Sequence, residues 1–152
     1  MKIKLLNILK EIIDIYSPEE LNSKEIKYDI VEDNKRRFIV NLTYKDQYYS
    51  LRILPIFNPK RSSINFGNTD EKYENLNLNQ LLNSPYSSRI LASIFGLIRY
   101  WIDKHNIQEF EYGAEGETRN KLYNYYLNKH FPDFENVQEN FGNEIIQVWK
   151  KI

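Results

Sequence analysis

Between Pro85 and Lys104 the chain carries a helical pattern that is apolar over most of its circumference. Ile90, Leu91, Ile94, Phe95, Leu97, Ile98, Trp101 and Ile102 recur at helical spacing. A stripe that wide cannot be left facing water, so the helix must be buried against another layer. Ala92, Ser93 and Gly96 supply small volume on an adjoining face. An interior glycine costs roughly 1 kcal/mol against alanine, so Gly96 points to close packing against a sheet. The helix is expected to begin at Pro85 or Ser87 and to run to about Lys104.

The sheet is written on both sides of this helix. Ile26, Tyr28 and Ile30 alternate with Lys27, Asp29 and Val31 as a half-buried strand. Glu32 to Lys35 reads as a polar turn. Phe38, Val40, Leu42 and Tyr44 form the apolar side of a second strand, and Tyr48 to Phe57 a third. The short Lys45-Asp46 connector predicts that these two pair as an antiparallel hairpin. Ser63 to Gly67 reads as a fourth strand and Asn68 to Asn79 as a loop. Beyond the long helix come a strand over Ile107 to Ala114, a helix from Glu117 to about His130, and a closing strand over Glu144 to Ile152. An amphipathic helix with Leu5, Leu6, Leu9, Ile12, Ile13 and Tyr16 on one stripe opens the chain and ends at Ser17-Pro18. The expected order is α-β-β-β-β-α-β-α-β, a single mixed α/β (α+β) domain spanning residues 1–152.

Composition narrows the function classes. The 152 residues carry 21 basic and 21 acidic side chains, so zero net charge gives no general pull toward nucleic acid or an anionic membrane. There is no cysteine, hence no disulfide framework and no thiol nucleophile. His105 and His130 are the two histidines, too few for a His-rich metal centre. No stretch approaches the roughly 20 apolar residues of a membrane span, and the N-terminus lacks a signal-peptide cleavage pattern. The chain is therefore expected to be soluble, in a host cytoplasm or a particle assembled there. Asn, Ile, Lys and Tyr all have A/T-rich codons, so an AT-rich genome explains much of their abundance.

The order of elements and the block from Ser87 to Phe131 resemble the GNAT (N-acetyltransferase-like) superfamily. The residues that carry this are Ser88-Arg89-Ile90-Leu91-Ala92-Ser93-Ile94-Phe95, then Glu109-Phe110-Glu111-Tyr112-Gly113-Ala114, then Arg119-Asn120-Lys121-Leu122-Tyr123 and His130-Phe131. Small GNAT-like proteins of tailed bacteriophages have a similar strand and Arg-x-Lys-Leu-Tyr helix. The resemblance implies a central, mostly antiparallel sheet flanked by helices. It also implies an acyl-CoA site at the start of the long helix, where backbone N–H groups cradle the pyrophosphate. The family pattern there is Gln/Arg-x-x-Gly-x-Gly/Ala, whereas this chain reads Asn83-Ser84-Pro85-Tyr86-Ser87-Ser88. Both small positions are altered and Pro85 has no N–H. If acyl-CoA binds, the resemblance assigns its phosphates to Ser87, Ser88 and Arg89. If the chain is an acetyltransferase, it assigns the general acid to Tyr123 or Tyr126; the register leaves both open.

Other constellations read as structural. Glu109 and Glu111 share one strand face and are expected to face solvent rather than to act as an acid–base pair. His105 and His130 each fall at a helix C-terminus, where a cation is favoured. Lys35-Arg36-Arg37, Lys60-Arg61 and Lys150-Lys151 would make a phosphate-binding patch only if the fold gathered them, and are expected to lie on scattered solvated faces. The expectation is a phage-encoded GNAT-like protein without a recognisable acyl-CoA loop. It would act non-catalytically as a binding or virion-assembly component, with a protein partner, no cofactor and no metal. The alternatives are an acetyl-CoA-dependent N-acetyltransferase and a small inhibitor of a host protein.

Overall fold

The computed structural model describes residues 26–56, 61–77, 87–112 and 127–152. Its elements are β1 (Lys27–Asp33), β2 (Phe38–Tyr44), β3 (Gln47–Pro55), β4 (Ser62–Thr69), α1 (Ser87–His105), β5 (Glu109–Tyr112), β6 (Phe134–Phe141) and β7 (Glu144–Lys151). The seven strands form one sheet in the order β1-β2-β3-β4-β5-β7-β6. Every neighbouring pair is antiparallel except β4 and β5. Parallel neighbours need a crossover between them, and α1 lies in it.

The alternation read in β2 is the alternation of burial: Phe38, Val40, Leu42 and Tyr44 are buried, and the residues between them are half-exposed. The same face carries Tyr49, Leu51, Ile53, Ile64, Phe66, Phe110 and Trp149. Helix α1 supplies the opposing layer: Ile90, Ile94, Phe95, Ile98 and Trp101 are fully buried. Each such side chain contributes roughly 1.5–3 kcal/mol of burial. Ala92, Ser93 and Gly96 are buried as well.

Two of the hairpin turns follow from backbone geometry. Lys45 and Asp46 both have positive φ, 46° and 61°, between Tyr44 and Gln47, the type I′ pattern built without glycine. At the β6–β7 turn only Gly142 has positive φ, 64°, between Phe141 and Glu144, as a type II′ turn requires. Helix α1 ends in a Schellman cap. Asn106 takes φ 52° and Ile107 N donates to Ile102 O at 3.0 Å.

Three expectations change. The closing strand is a hairpin, because Phe134–Phe141 forms β6 beside β7. Its sequence, FENVQENF, has too few apolar residues to announce a strand, and most of its described side chains face solvent. The strand read over Ile107 to Ala114 begins at Glu109, since Ile107 belongs to the helix cap. The segment after Gly67 is not simply loop. β4 continues to Thr69, and Asp70 then accepts backbone N–H groups from Lys72, Glu74 and Asn75, closing an ordered turn. The expected N-terminal helix and most of the helix from Glu117 lie outside the described residues; residues 127–130 are helical.

Candidate functional site

Two places on the sheet bring chemistry-bearing groups together, one at each end of β4. Toward the Thr69 end lies the part of β4 beyond its described pairing with β5. Their ladder consists of Ser62↔Phe110, Ser63↔Glu111 and Ile64↔Tyr112, and β4 then runs on for five residues, Asn65 to Thr69. The ring of Phe95 meets Phe66 at 6.1 Å, while Trp101 and Ser62 line a common pocket. Helix α1 therefore runs antiparallel to β4, and its start at Ser87 lies toward the Thr69 end.

The edge of β4 at this end carries one bridge. Asn77 N donates to Asn68 O at 2.7 Å, an antiparallel bridge. Since β3 holds the other edge of β4 through Tyr49↔Asn68, Asn77 occupies the side that faces away from β3. Among the described residues the buried Asn68 Oδ1 has no hydrogen-bond partner. Ser87 and Ser88, with Arg89, open α1 here, as the sequence places them. Tyr123 and Tyr126 lie outside the described residues, as do Asn83 to Tyr86.

At the opposite end lies a pocket of about 330 Å³, lined by Lys35, Arg36, Arg61, Ser62, Trp101, Asn106, Ile107, Gln108 and Glu109. Two of the basic clusters thus meet where scattered faces were expected. The reason is the β1–β2 turn. Asn34 Oδ1 accepts the N–H groups of Arg36 and Arg37, and Trp101 Nε1 donates to Asn34 O at 3.0 Å. These bonds dock the turn against the end of α1. Ser62 Oγ donates to Arg36 O at 3.0 Å, and Arg36 reaches Ile56 O at 3.0 Å.

Arg61 itself is committed elsewhere. Its side chain is 3% exposed and donates to Glu111 at 3.1 Å and Glu139 at 2.8 Å. Burial alone would make it easier to deprotonate, but the two carboxylates hold it firmly charged. The hydrogen bond from Arg61 in turn holds Glu139 below the usual carboxylate range, with Lys150 helping at 3.4 Å. Glu111 is consequently not the solvent-facing carboxylate that strand alternation suggests. It belongs to an ion-paired network, and Glu109 lines the pocket instead.

His105 closes α1 as expected and is also tied to β1. His105 Nε2 lies 2.6 Å from Asp33 Oδ1, and Asp33 Oδ2 accepts from Lys104 at 2.6 Å and Tyr100 at 3.1 Å. His130 is not a capping cation. It stacks on Phe95 with centroids 6.0 Å apart, and burial, aided by Lys129, pushes its imidazole toward the neutral form. The Asp33 cluster is invisible to sequence reasoning because its members come from the end of β1 and the end of α1.

Chemically, the pocket lining offers the cations Lys35 and Arg36, an indole wall, the Glu109 carboxylate and a serine hydroxyl already donating to Arg36 O. Among the described residues no group of three or more His, Cys, Asp or Glu side chains could hold a metal ion. Among the same residues no helix is long and apolar enough to cross a membrane. No protein-family model, curated protein or solved structure matches the chain.

Proposed function

We propose that the chain is a GNAT-like domain, of the kind resembled by tailed-phage proteins, that works without acyl transfer as a binding or assembly component. The fold half of this reading is supported by the strand order and by the placement of a long helix between β4 and β5, the one parallel pair among the described strands. The functional half rests on one observation, the seat of Asn77 on Asn68. An extended acyl arm laid along β4 beyond Ile64 would pair with the edge that faces away from β3, as any added strand does. The chain's own backbone already fills that edge at Asn68. The proline-containing entrance to α1 removes one of the N–H groups that a diphosphate would need.

The second reading, an N-acetyltransferase using acetyl-CoA, is supported by the long helix α1, which begins toward the Thr69 end of β4, where the resemblance puts the cofactor. In that mechanism an amine attacks the thioester while backbone N–H groups polarise its carbonyl, and Tyr123 or Tyr126 protonates the leaving thiolate. Isothermal titration with acetyl-CoA separates the two. Silence at millimolar ligand is the expected result, and tight saturable binding overturns the non-catalytic reading. Detection of the protein in purified phage particles would mark it as an assembly component; its absence from them favours an inhibitor of a host protein.

A further inference from the structure

The two edges of the sheet are not alike. At one edge, β1 carries a bulge between Ile30 and Glu32, and the exposed Val31 falls out of register there. A bulge disrupts the ladder and is a common protection against unwanted pairing. At the other edge, β6 pairs with β7 residue for residue over eight positions, without a bulge, proline, glycine or lysine.

The direction of the free backbone groups on β6 follows from one bond. Lys151 N donates to Gln108 O at 2.8 Å, on the β5 side of β7. Its cross-strand partner Phe134 therefore also turns its backbone groups away from the β6–β7 seam, and alternation carries this to Asn136, Gln138 and Asn140. The bond from Ile152 N to Asp133 O, 2.9 Å across the seam, has the matching parity. Asn136, Gln138 and Asn140 are all exposed, and among the described residues no backbone group pairs with theirs.

We infer that β6 is the seam of a homodimer, pairing antiparallel with β6 of a second copy about a twofold axis through Gln138. Self-pairing must set outward-facing residues opposite one another, so the residue numbers of each pair add to an even total. Centring on Val137 sets Glu135 opposite Glu139 twice, which is repulsive. Centring on Gln138 sets Gln138 opposite Gln138 and Asn136 opposite Asn140, and no acid faces an acid. Glu139 is also compensated within its own protomer by Arg61 and Lys150. The dimer would join two seven-stranded sheets into one. A single strand seam is small beside the roughly 1,200–2,000 Å² of a stable interface, so a micromolar dissociation constant is expected. The inference does not depend on whether acyl-CoA binds.

Sedimentation equilibrium of the full chain reads the result directly. A concentration-dependent dimer is expected, and Gln138→Lys, at an exposed position, should raise its dissociation constant about tenfold by opposing two ammonium groups. A monomer at every concentration, or a dimer indifferent to Gln138→Lys while circular dichroism stays unchanged, overturns the inference. The cysteine-free chain permits a check of register. Gln138→Cys should crosslink under mild oxidation and Val137→Cys should not, because only residue 138 meets its own copy within disulfide reach. Crosslinking at Val137 but not at Gln138 overturns the proposed axis.

Discussion

Asp33 Oδ1 sits 2.6 Å from Nε2 of His105, so the last residue of β1 is tied to the last residue of α1 across 72 positions of sequence. The carboxylate side chain is 7% exposed and also accepts from Lys104 and Tyr100. Burial on its own would raise its affinity for a proton, but the hydrogen bonds from His105, Lys104 and Tyr100 outweigh that, holding it below the usual carboxylate range. This cluster fixes one edge of the sheet to the helix that covers it.

Asp33→Asn keeps the shape and removes the charge that these donors share. The expected loss is about 2 kcal/mol, the scale of hydrogen bonds to a charged group, read from urea unfolding at neutral pH. A group whose folded pKa lies below its unfolded value stabilises at pH above the unfolded value, ~4 for aspartate. The contribution disappears as pH falls through the lower, folded value. The gap between the two proteins should therefore close on acidification below about pH 5. A gap that widens on acidification would contradict the assignment.

Arg61→Met should destabilise by about 2–3 kcal/mol. Breaking a fully buried pair costs about 3–5 kcal/mol, but Glu139 stays within reach of water. The double replacement of Arg61 by Met and Glu111 by Gln should recover part of that loss, because the one carboxylate left, Glu139, keeps Lys150 at 3.4 Å. Thermal denaturation of the two variants provides the comparison.

The hairpin turns give predictions of opposite sign. Asp46 sits at φ 61°, where a side chain is disfavoured, so Asp46→Gly should stabilise by about 0.5–1 kcal/mol. Gly142 has φ 64° with open space around a would-be Cβ, so Gly142→Ala should cost about 1 kcal/mol from backbone strain alone. Chemical denaturation midpoints decide both. A neutral Gly142→Ala would mean that the turn is not of this type.

Trp101→Phe removes the donor to Asn34 O while keeping an aromatic ring in the core. Loss of about 1–2 kcal/mol is expected from the missing hydrogen bond and the missing ring volume. The β1–β2 turn should also loosen, which hydrogen exchange at the Arg36 and Arg37 amides would register.

Periodicity was enough to find the parts of the molecule that have one buried face. Phe38 to Tyr44 alternates because alternate side chains meet α1, and Ile90 to Ile102 is apolar nearly all round because the helix is covered nearly all round. Pairing of β2 with β3 was legible for the same reason, since only two residues separate them. β6 was not legible, because most of its exposed side chains have no apolar neighbour to select for, and a backbone ladder leaves no trace in composition. The setting of His130 is not legible, because helix position alone says nothing about the Phe95 ring stacked on it.

The layers, one wide apolar helix against alternating strands, are written in the order of residues, since burial of an apolar stripe depends on spacing along a single element. Which charges meet is settled in three dimensions: Arg61 with Glu111 and Glu139, Asp33 with His105, Lys35 and Arg36 with the pocket beside Trp101. Electrostatic partners are chosen by distance in space, and strands separated by tens of residues become neighbours only once the crossover through α1 has set β4 beside β5.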